Sequence, residues 1–189
     1  MTSHVDAELA HFCERHHPRL LRMLTAYVGD PGTAEDLVQD ALVRLCRDWK
    51  QVRRMDRPDA WLTTVAFNLA RSWFRRAYAG RRARRRLEGR QVEQGRSEKE
   101  AGMVVVQALE RLPARQRQAV ILRFLDDLSV ADTARVMGCA QGTVKAHTSR
   151  ALVSLRGMDL GIDLSPPNDR GSGHPSSSSI VTASARCEN

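Results

Sequence analysis

At 189 residues the chain has room for one ordinary domain or two small ones, and its composition, 42% hydrophobic but 5% aromatic with many Ala, Leu and Arg, favours helices over sheets. A formal net charge of +8 makes a polyanion the natural partner, because each phosphate met by Arg or Lys releases condensed counterions. No apolar run reaches the ~20 residues that span a bilayer, the N-terminus lacks a signal-peptide pattern, and Cys13, Cys46, Cys139 and Cys187 include no C-x-x-C pair, so neither a zinc site nor a disulfide framework is readable and a cytoplasmic protein without cofactor or metal is expected.

The first domain is predicted over residues 7–79. Leu9, Phe12 and Cys13 form a short apolar stripe; Pro18 is read as restarting the helix after a break at His16-His17, with Leu20, Leu21, Leu24, Tyr27 and Val28 at helical spacing. Gly29-Asp30-Pro31-Gly32 ends that helix, and Thr33, with Asp36 three residues on, is expected to cap the next. There Leu37, Val38, Ala41, Leu42, Leu45, Cys46 and Trp49 share one face and Asp36, Gln39, Asp40, Arg44 and Arg47 the other. Gln51 to Arg57 has no period and reads as a loop, and Pro58 suits the first turn of a third helix. Its expected core stripe is Trp61, Leu62, Val65, Leu69 and Trp73, opposite Thr64, Asn68, Arg71, Ser72 and Arg75, with Phe67 near the boundary.

Residues 80–96 are Arg-rich and aperiodic and read as a basic linker, either a flexible tether or a helical extension along phosphate. A second domain is predicted over 97–156. Ser97 and Glu100 form a capping box ahead of Val104, Val105, Ala108, Leu109 and Leu112; Pro113 starts a helix carrying Val120, Ile121, Phe124 and Leu125. Ser129 and Asp132 repeat the capping pattern before a short helix closed by Gly138, and Gln141 to Leu155 follows with core positions Val144, Thr148, Ala151, Leu152 and Leu155. Residues 157–189 are rich in Pro, Gly and Ser and read as a disordered tail. The fold class is therefore all-α: two small helical domains, a basic linker and a tail.

Two short helices around a Gly-containing turn, the second basic on its outer face, make a helix-turn-helix. With Val144, Thr148, Leu152 and Leu155 inward, Thr143, Lys145, Ala146, Ser149 and Arg150 face a major groove, where Arg150 suits guanine and Lys145 suits a base edge or phosphate. The plain alternative is a helical hairpin with a solvated basic face. A nucleic-acid enzyme with Asp36, Asp40 and Asp48 as metal ligands is disfavoured, because those carboxylates lie among arginines with no convergent histidine or second acidic cluster.

The wording of the second domain is more specific. Leu112-Pro113-Ala114-Arg115-Gln116-Arg117-Gln118-Ala119-Val120, Leu128-Ser129-Val130-Ala131-Asp132-Thr133-Ala134, Gly142-Thr143-Val144-Lys145 and Ser149-Arg150-Ala151-Leu152 closely resemble region 4 of sigma-70 family factors. Response-regulator output domains share a similar Gly-Thr-Val-Lys segment, so the first domain is the independent test. Its Ala34 to Leu45 resembles region 2.2 of the same family, and Ala60-Trp61-Leu62 with Asn68-Leu69-Ala70-Arg71-Ser72-Trp73 resembles regions 2.3 and 2.4. Both occur in family order and spacing over about residues 7–156, and the resemblance is closest to extracytoplasmic-function members of actinobacterial, sigma-E-like type.

That resemblance implies a non-enzymatic RNA polymerase sigma factor whose partners are bacterial core RNA polymerase and promoter DNA. Asp36, Gln39 and Asp40 match the surface that docks on the β′ coiled coil. Gln51 to Asp59, with Arg53 and Arg54, matches the loop that captures a flipped base of the −10 element. Asn68, Arg71 and Arg75 match the helix that guides the −10 region; Gln141, Thr143, Lys145, Ala146, Ser149 and Arg150 match the reader of the −35 element, in a domain that also touches the β flap. An anti-sigma protein is a further partner the family admits, one that would bury both domains without leaving a motif in this chain. Some positions depart from the pattern: Thr64-Val65 stands where larger members carry adjacent aromatic residues for strand separation, and Ala140 where a Ser often caps the recognition helix. The competing reading, a stand-alone helix-turn-helix regulator, leaves Ala34 to Trp73 without a role.

Overall fold

The computed structural model describes residues 2–88 and 102–158, and these contain helices and turns but no strand. The proposed Ser97–Glu100 capping box, the rest of the linker and the tail beyond residue 158 lie outside the described residues.

Helix α1 runs unbroken from Thr2 to Val28, with Pro18 inside it, which corrects the expected break at His16-His17. Pro18 is on the exposed side, so the carbonyl that its missing N–H leaves unpaired can meet water instead of the core. Gly29, at φ +86, ends α1. Asp30, not Thr33, caps α2 (Pro31–Val52): its carboxylate accepts a hydrogen bond from Thr33 N at 2.7 Å, and Pro31 occupies the first turn, where an N–H has no intrahelical partner. The hydrogen bonds from Thr33 hold the Asp30 carboxyl below its ordinary pKa.

Helix α3 extends from Pro58 to Glu88, well past the expected end at residue 79. The first half of the Arg-rich stretch is thus a helical extension, consistent with the good helix propensity of Arg and Ala. Phe67, expected near a boundary, is 1% exposed and belongs to the core, whereas Trp61, Val65 and Trp73 are only partly buried. Phe67 meets Tyr27 edge-on, and Phe74 meets Tyr27 from another side, both rings at about 5 Å. Leu20, Met23 and Leu24 of α1, Val38 and Leu45 of α2 and Leu62 of α3 are fully buried around these rings. Burying each such side chain is worth roughly 1.5–3 kcal/mol.

In the second half, α4 (Gly102–Glu110) leads through Pro113 to α5 (Ala114–Val120), which continues into a π-helical turn over Ile121–Leu125. The wider turn closes with Asp126 N on Ile121 O, and Asp127 adopts φ 48 immediately after it. Ser129 caps α6 (Val130–Met137) as the sequence predicts: its hydroxyl accepts from Asp132 N at 3.0 Å and donates to the Asp132 carboxylate at 2.7 Å. Gly138, at φ 61, closes α6, and α7 (Gln141–Arg156) packs on α5 and α6 through Val144, Ala151, Leu152 and Leu155. Thr148, assigned to that stripe from sequence, is only half-buried.

The two halves share one continuous apolar cluster: α1 lies against α4, α5 and the π-helical turn, and α3 lies against α6.

Candidate nucleic-acid interface

The helix-turn-helix comprises α6, the turn 138–140 and α7. Gly138 permits the left-handed turn, after which Cys139 N returns to Ala134 O and satisfies an end carbonyl of α6. Arg115 braces the motif from α5 by donating to Met137 O at 3.0 Å. With Val144 and Ala151 fully buried, the rotation of α7 is set, and Gln141, Thr143, Lys145, Ala146, Ser149 and Arg150 are all exposed. Ala140 occupies the N-cap position without a side-chain hydrogen bond, so the first turn of α7 keeps free N–H donors. Val153, 67% exposed, continues the outward face one turn beyond Arg150.

Asn68, Arg71, Ser72 and Arg75 form a single file on α3. Arg71 donates to the Asn68 carboxamide oxygen and Arg75 to the Ser72 hydroxyl at 3.1 Å, so each guanidinium is steered by a neighbour one turn earlier. Burial, and then the charge of Arg115, push the Arg71 pKa down; an arginine remains charged all the same. Arg53 and Arg54 sit on the turn after α2, both exposed, with Arg53 paired to Glu8 at 2.8 Å. Met55, on the same turn, is 41% exposed, an apolar contact that the sequence reading missed. Arg57 pairs with Asp59 at 2.9 Å and reaches Asp132 of α6 at 3.5 Å.

Asp36, Gln39 and Asp40 are exposed on α2, and Gln39 donates to Glu35 at 2.8 Å. Val43 lies one turn on from Asp40 and is 67% exposed. Sequence reasoning passed over it, although the signal was present: it falls outside the Leu37, Ala41, Leu45 stripe that α2 buries. An exposed valine beside Asp40, with Arg44 and Arg47 following it, suits a protein surface better than DNA. Asp48, the third carboxylate of the metal reading, is paired with Arg47 at 3.0 Å, and no group of three potential metal ligands occurs among the described residues. Among those residues, too, no helix is long and apolar enough to cross a membrane.

Comparison with known proteins bears on both halves. The family model for Sigma-70 region 2 matches residues 12–87, and that for Sigma-70 region 4 matches residues 103–155. The chain is 32% identical over 137 residues to an RNA polymerase sigma-E factor of Streptomyces antibioticus, covering 72% of this chain and 76% of that one. It is 34% identical over 142 residues to the ECF RNA polymerase sigma factor SigM of Mycobacterium tuberculosis, covering 75% and 71%. Among solved structures it is similar to the sigma factor RpoE of Bartonella quintana, crystallised with the anti-sigma factor NepR, at 29% identity and a TM-score of 0.59, covering 77% of this chain and 92% of that one. The stand-alone regulator is not favoured, since the region 2 match accounts for the helices that it leaves without a role. The chain belongs to the sigma-70 family, as an RNA polymerase sigma factor of the extracytoplasmic-function group.

Proposed function

We propose that this sigma factor, which acts by binding core RNA polymerase and promoter DNA, divides the work among three surfaces. The α2 face of Asp36, Gln39 and Asp40, with Val43 as its apolar centre, docks on the β′ coiled coil. The α3 file of Asn68, Arg71 and Arg75, with Arg53 and Arg54 on the preceding turn, takes the −10 element. The outward residues of α7, Gln141, Thr143, Lys145, Ala146, Ser149 and Arg150, take the −35 element in a domain that also meets the β flap. The second domain keeps the limits of the sequence reading, residues 97–156, and the first runs from residue 7 to the end of α3 at Glu88. The protein works by binding alone, in the cytoplasm with the polymerase, and an anti-sigma protein is a fitting third partner.

The observation that carries this division is that exposed carboxylates and a bare valine lie together on α2, followed by Arg44 and Arg47, whereas α3 carries arginines in single file. Carboxylates repel phosphate and suit a basic protein partner, whereas guanidiniums suit phosphate and guanine. Purified protein run with bacterial core polymerase on a sizing column tests it, alongside Asp40→Ala. Stoichiometric co-elution weakened by the substitution supports the docking face. Normal docking by the variant, with loss of DNA affinity instead, overturns the assignment of surfaces.

A further inference from the structure

Cys46 is out of keeping with its place on α2. Its spacing puts it in the apolar stripe with Leu45 and Trp49, yet those two are buried and Cys46 is exposed. Burial therefore gives no reason for a cysteine there. What lies beside it is a second thiol. Helices α1 and α2 run antiparallel, and at the end away from Gly29 they are zipped by Arg53 on Glu8 at 2.8 Å and by the Phe12 and Trp49 rings, 5.2 Å apart. One turn back along α2 from Trp49, Cys46 meets Cys13, the residue after Phe12, closely enough for the two side chains to hydrogen-bond. Both thiols are free; Cys13 is half-buried against the core and Cys46 is open to solvent.

The two sulfurs differ in what they can do. Burial, and after it the neighbouring Cys46, pushes the Cys13 thiol up, so Cys13 stays protonated. Cys46 is the one that a dissolved oxidant reaches first. It also continues the row of Gln39 and Val43, at i, i+4 and i+7 along α2, so it lies at the edge of the face proposed to dock on the polymerase. In a reducing compartment a disulfide between two such residues is transient, and its use is to report an oxidant.

We propose that Cys13 and Cys46 form a peroxide-responsive dithiol, whose closure to a disulfide ties α1 to α2 and weakens docking on core polymerase. The Cys46 sulfur, as thiolate, attacks one oxygen of hydrogen peroxide; the O–O bond breaks, Cys46 becomes a sulfenic acid and one water leaves. The Cys13 sulfur then attacks the Cys46 sulfur; the S–O bond breaks, and the hydroxyl leaves with the Cys13 proton as a second water. Two thiols thus give up two electrons and two protons, and one peroxide becomes two waters. Closure replaces a contact between sulfurs with a covalent bond of fixed geometry, so α2 has to shift at Cys46, one turn from Val43. The effect on docking rests on the α2 face proposed above; the bridge itself does not.

The test uses the full chain, first reduced and then treated with hydrogen peroxide. A tryptic digest kept free of reductant should contain the peptide 1–15 joined to the peptide 45–47, a pair that dithiothreitol separates. Titrated against core polymerase, treated protein should bind roughly tenfold more weakly than reduced protein, and dithiothreitol should restore it. Cys13→Ser, with Cys13→Ala in its place if serine unfolds the domain, cannot form the bridge and should keep the affinity of reduced wild type after the same treatment. A digest in which Cys46 is joined to Cys139 or Cys187, or stays unjoined, overturns the dithiol. So does a Cys13 variant that peroxide weakens as much as wild type, since oxidation of Cys46 alone would then suffice. A bridge that forms without any change in core affinity overturns its tie to docking. The digest needs no polymerase, so failure of reduced wild-type protein to bind core would count against the docking face and not against the dithiol.

Discussion

Arg117 donates to the main-chain carbonyl of Tyr27 at 2.6 Å across 90 residues of sequence, while a second nitrogen of the same guanidinium serves Glu110 O at 2.7 Å. One side chain thus ties the end of α1 to the end of α4 from within α5. Replacing it with methionine keeps much of the bulk but leaves the buried Tyr27 carbonyl and the half-buried Glu110 carbonyl without this donor. Arg117→Met should destabilise the protein by about 2–3 kcal/mol, read as a lower midpoint in urea unfolding. Arg117→Lys should fall between, because an ammonium cannot span both carbonyls.

The φ of +86 at Gly29 is costly for any residue with a Cβ. A Cβ there would come within 1.8 Å of the Glu110 carboxylate oxygen, but that is the far end of an exposed side chain that can swing aside. Gly29→Ala should therefore cost the ~1–2 kcal/mol of left-handed strain. In a double-mutant cycle with Glu110→Ala the two costs should add; a coupling between them would mean that Glu110 is held in place.

The N-cap of α7 can be improved. Ala140 has the extended backbone of a cap, φ −69 and ψ 150, but no side chain to offer. Ala140→Ser should add about 1 kcal/mol, raising the thermal midpoint by roughly 2–4 °C in a melt followed by circular dichroism.

Asp30 gives a pH signature. Its folded-state pKa is lowered by the hydrogen bonds from Thr33, so its stabilising contribution is present above the unfolded value of about 3.9 and is lost as pH falls through the lower folded value. Asp30→Ala should be less stable than wild type at neutral pH by about 1 kcal/mol, and the two should converge in denaturant titrations carried out at increasingly acid pH.

The proposed promoter contacts separate by base dependence. In reconstituted transcription, Arg150→Ala should weaken discrimination of the upstream element by about 1–3 kcal/mol, and only on templates that retain its preferred sequence. If Lys145 serves phosphate, Lys145→Ala should lower binding evenly across sequences and reduce the salt dependence.

Much of this was legible in the residues because it is local. Helix periodicity, the Ser129–Asp132 cap, the Gly138 stop and the outward set on α7 depend on contacts within a few positions, and in the structure they stand as the sequence predicts. The errors were local signals overruled by neighbours. Pro18 ends no helix because it faces solvent, and Phe67 is core because Tyr27 lies across from it. Thr33 yields the cap to Asp30, whose carboxylate bonds the Thr33 amide itself.

The sequence by itself determined two helical units, the second a helix-turn-helix with a basic outer face, and the family they resemble, since amphipathic spacing and motif wording need no knowledge of what lies across the seam between them. Only the tertiary structure decided that the units share a core, that Arg19 meets Asp126 and that Arg117 reaches Tyr27. Those partners lie about 90 to 107 residues apart, and a buried arginine has the same letter as a solvated one. Nothing in the period of a helix says which distant carbonyl or carboxylate will take its charge.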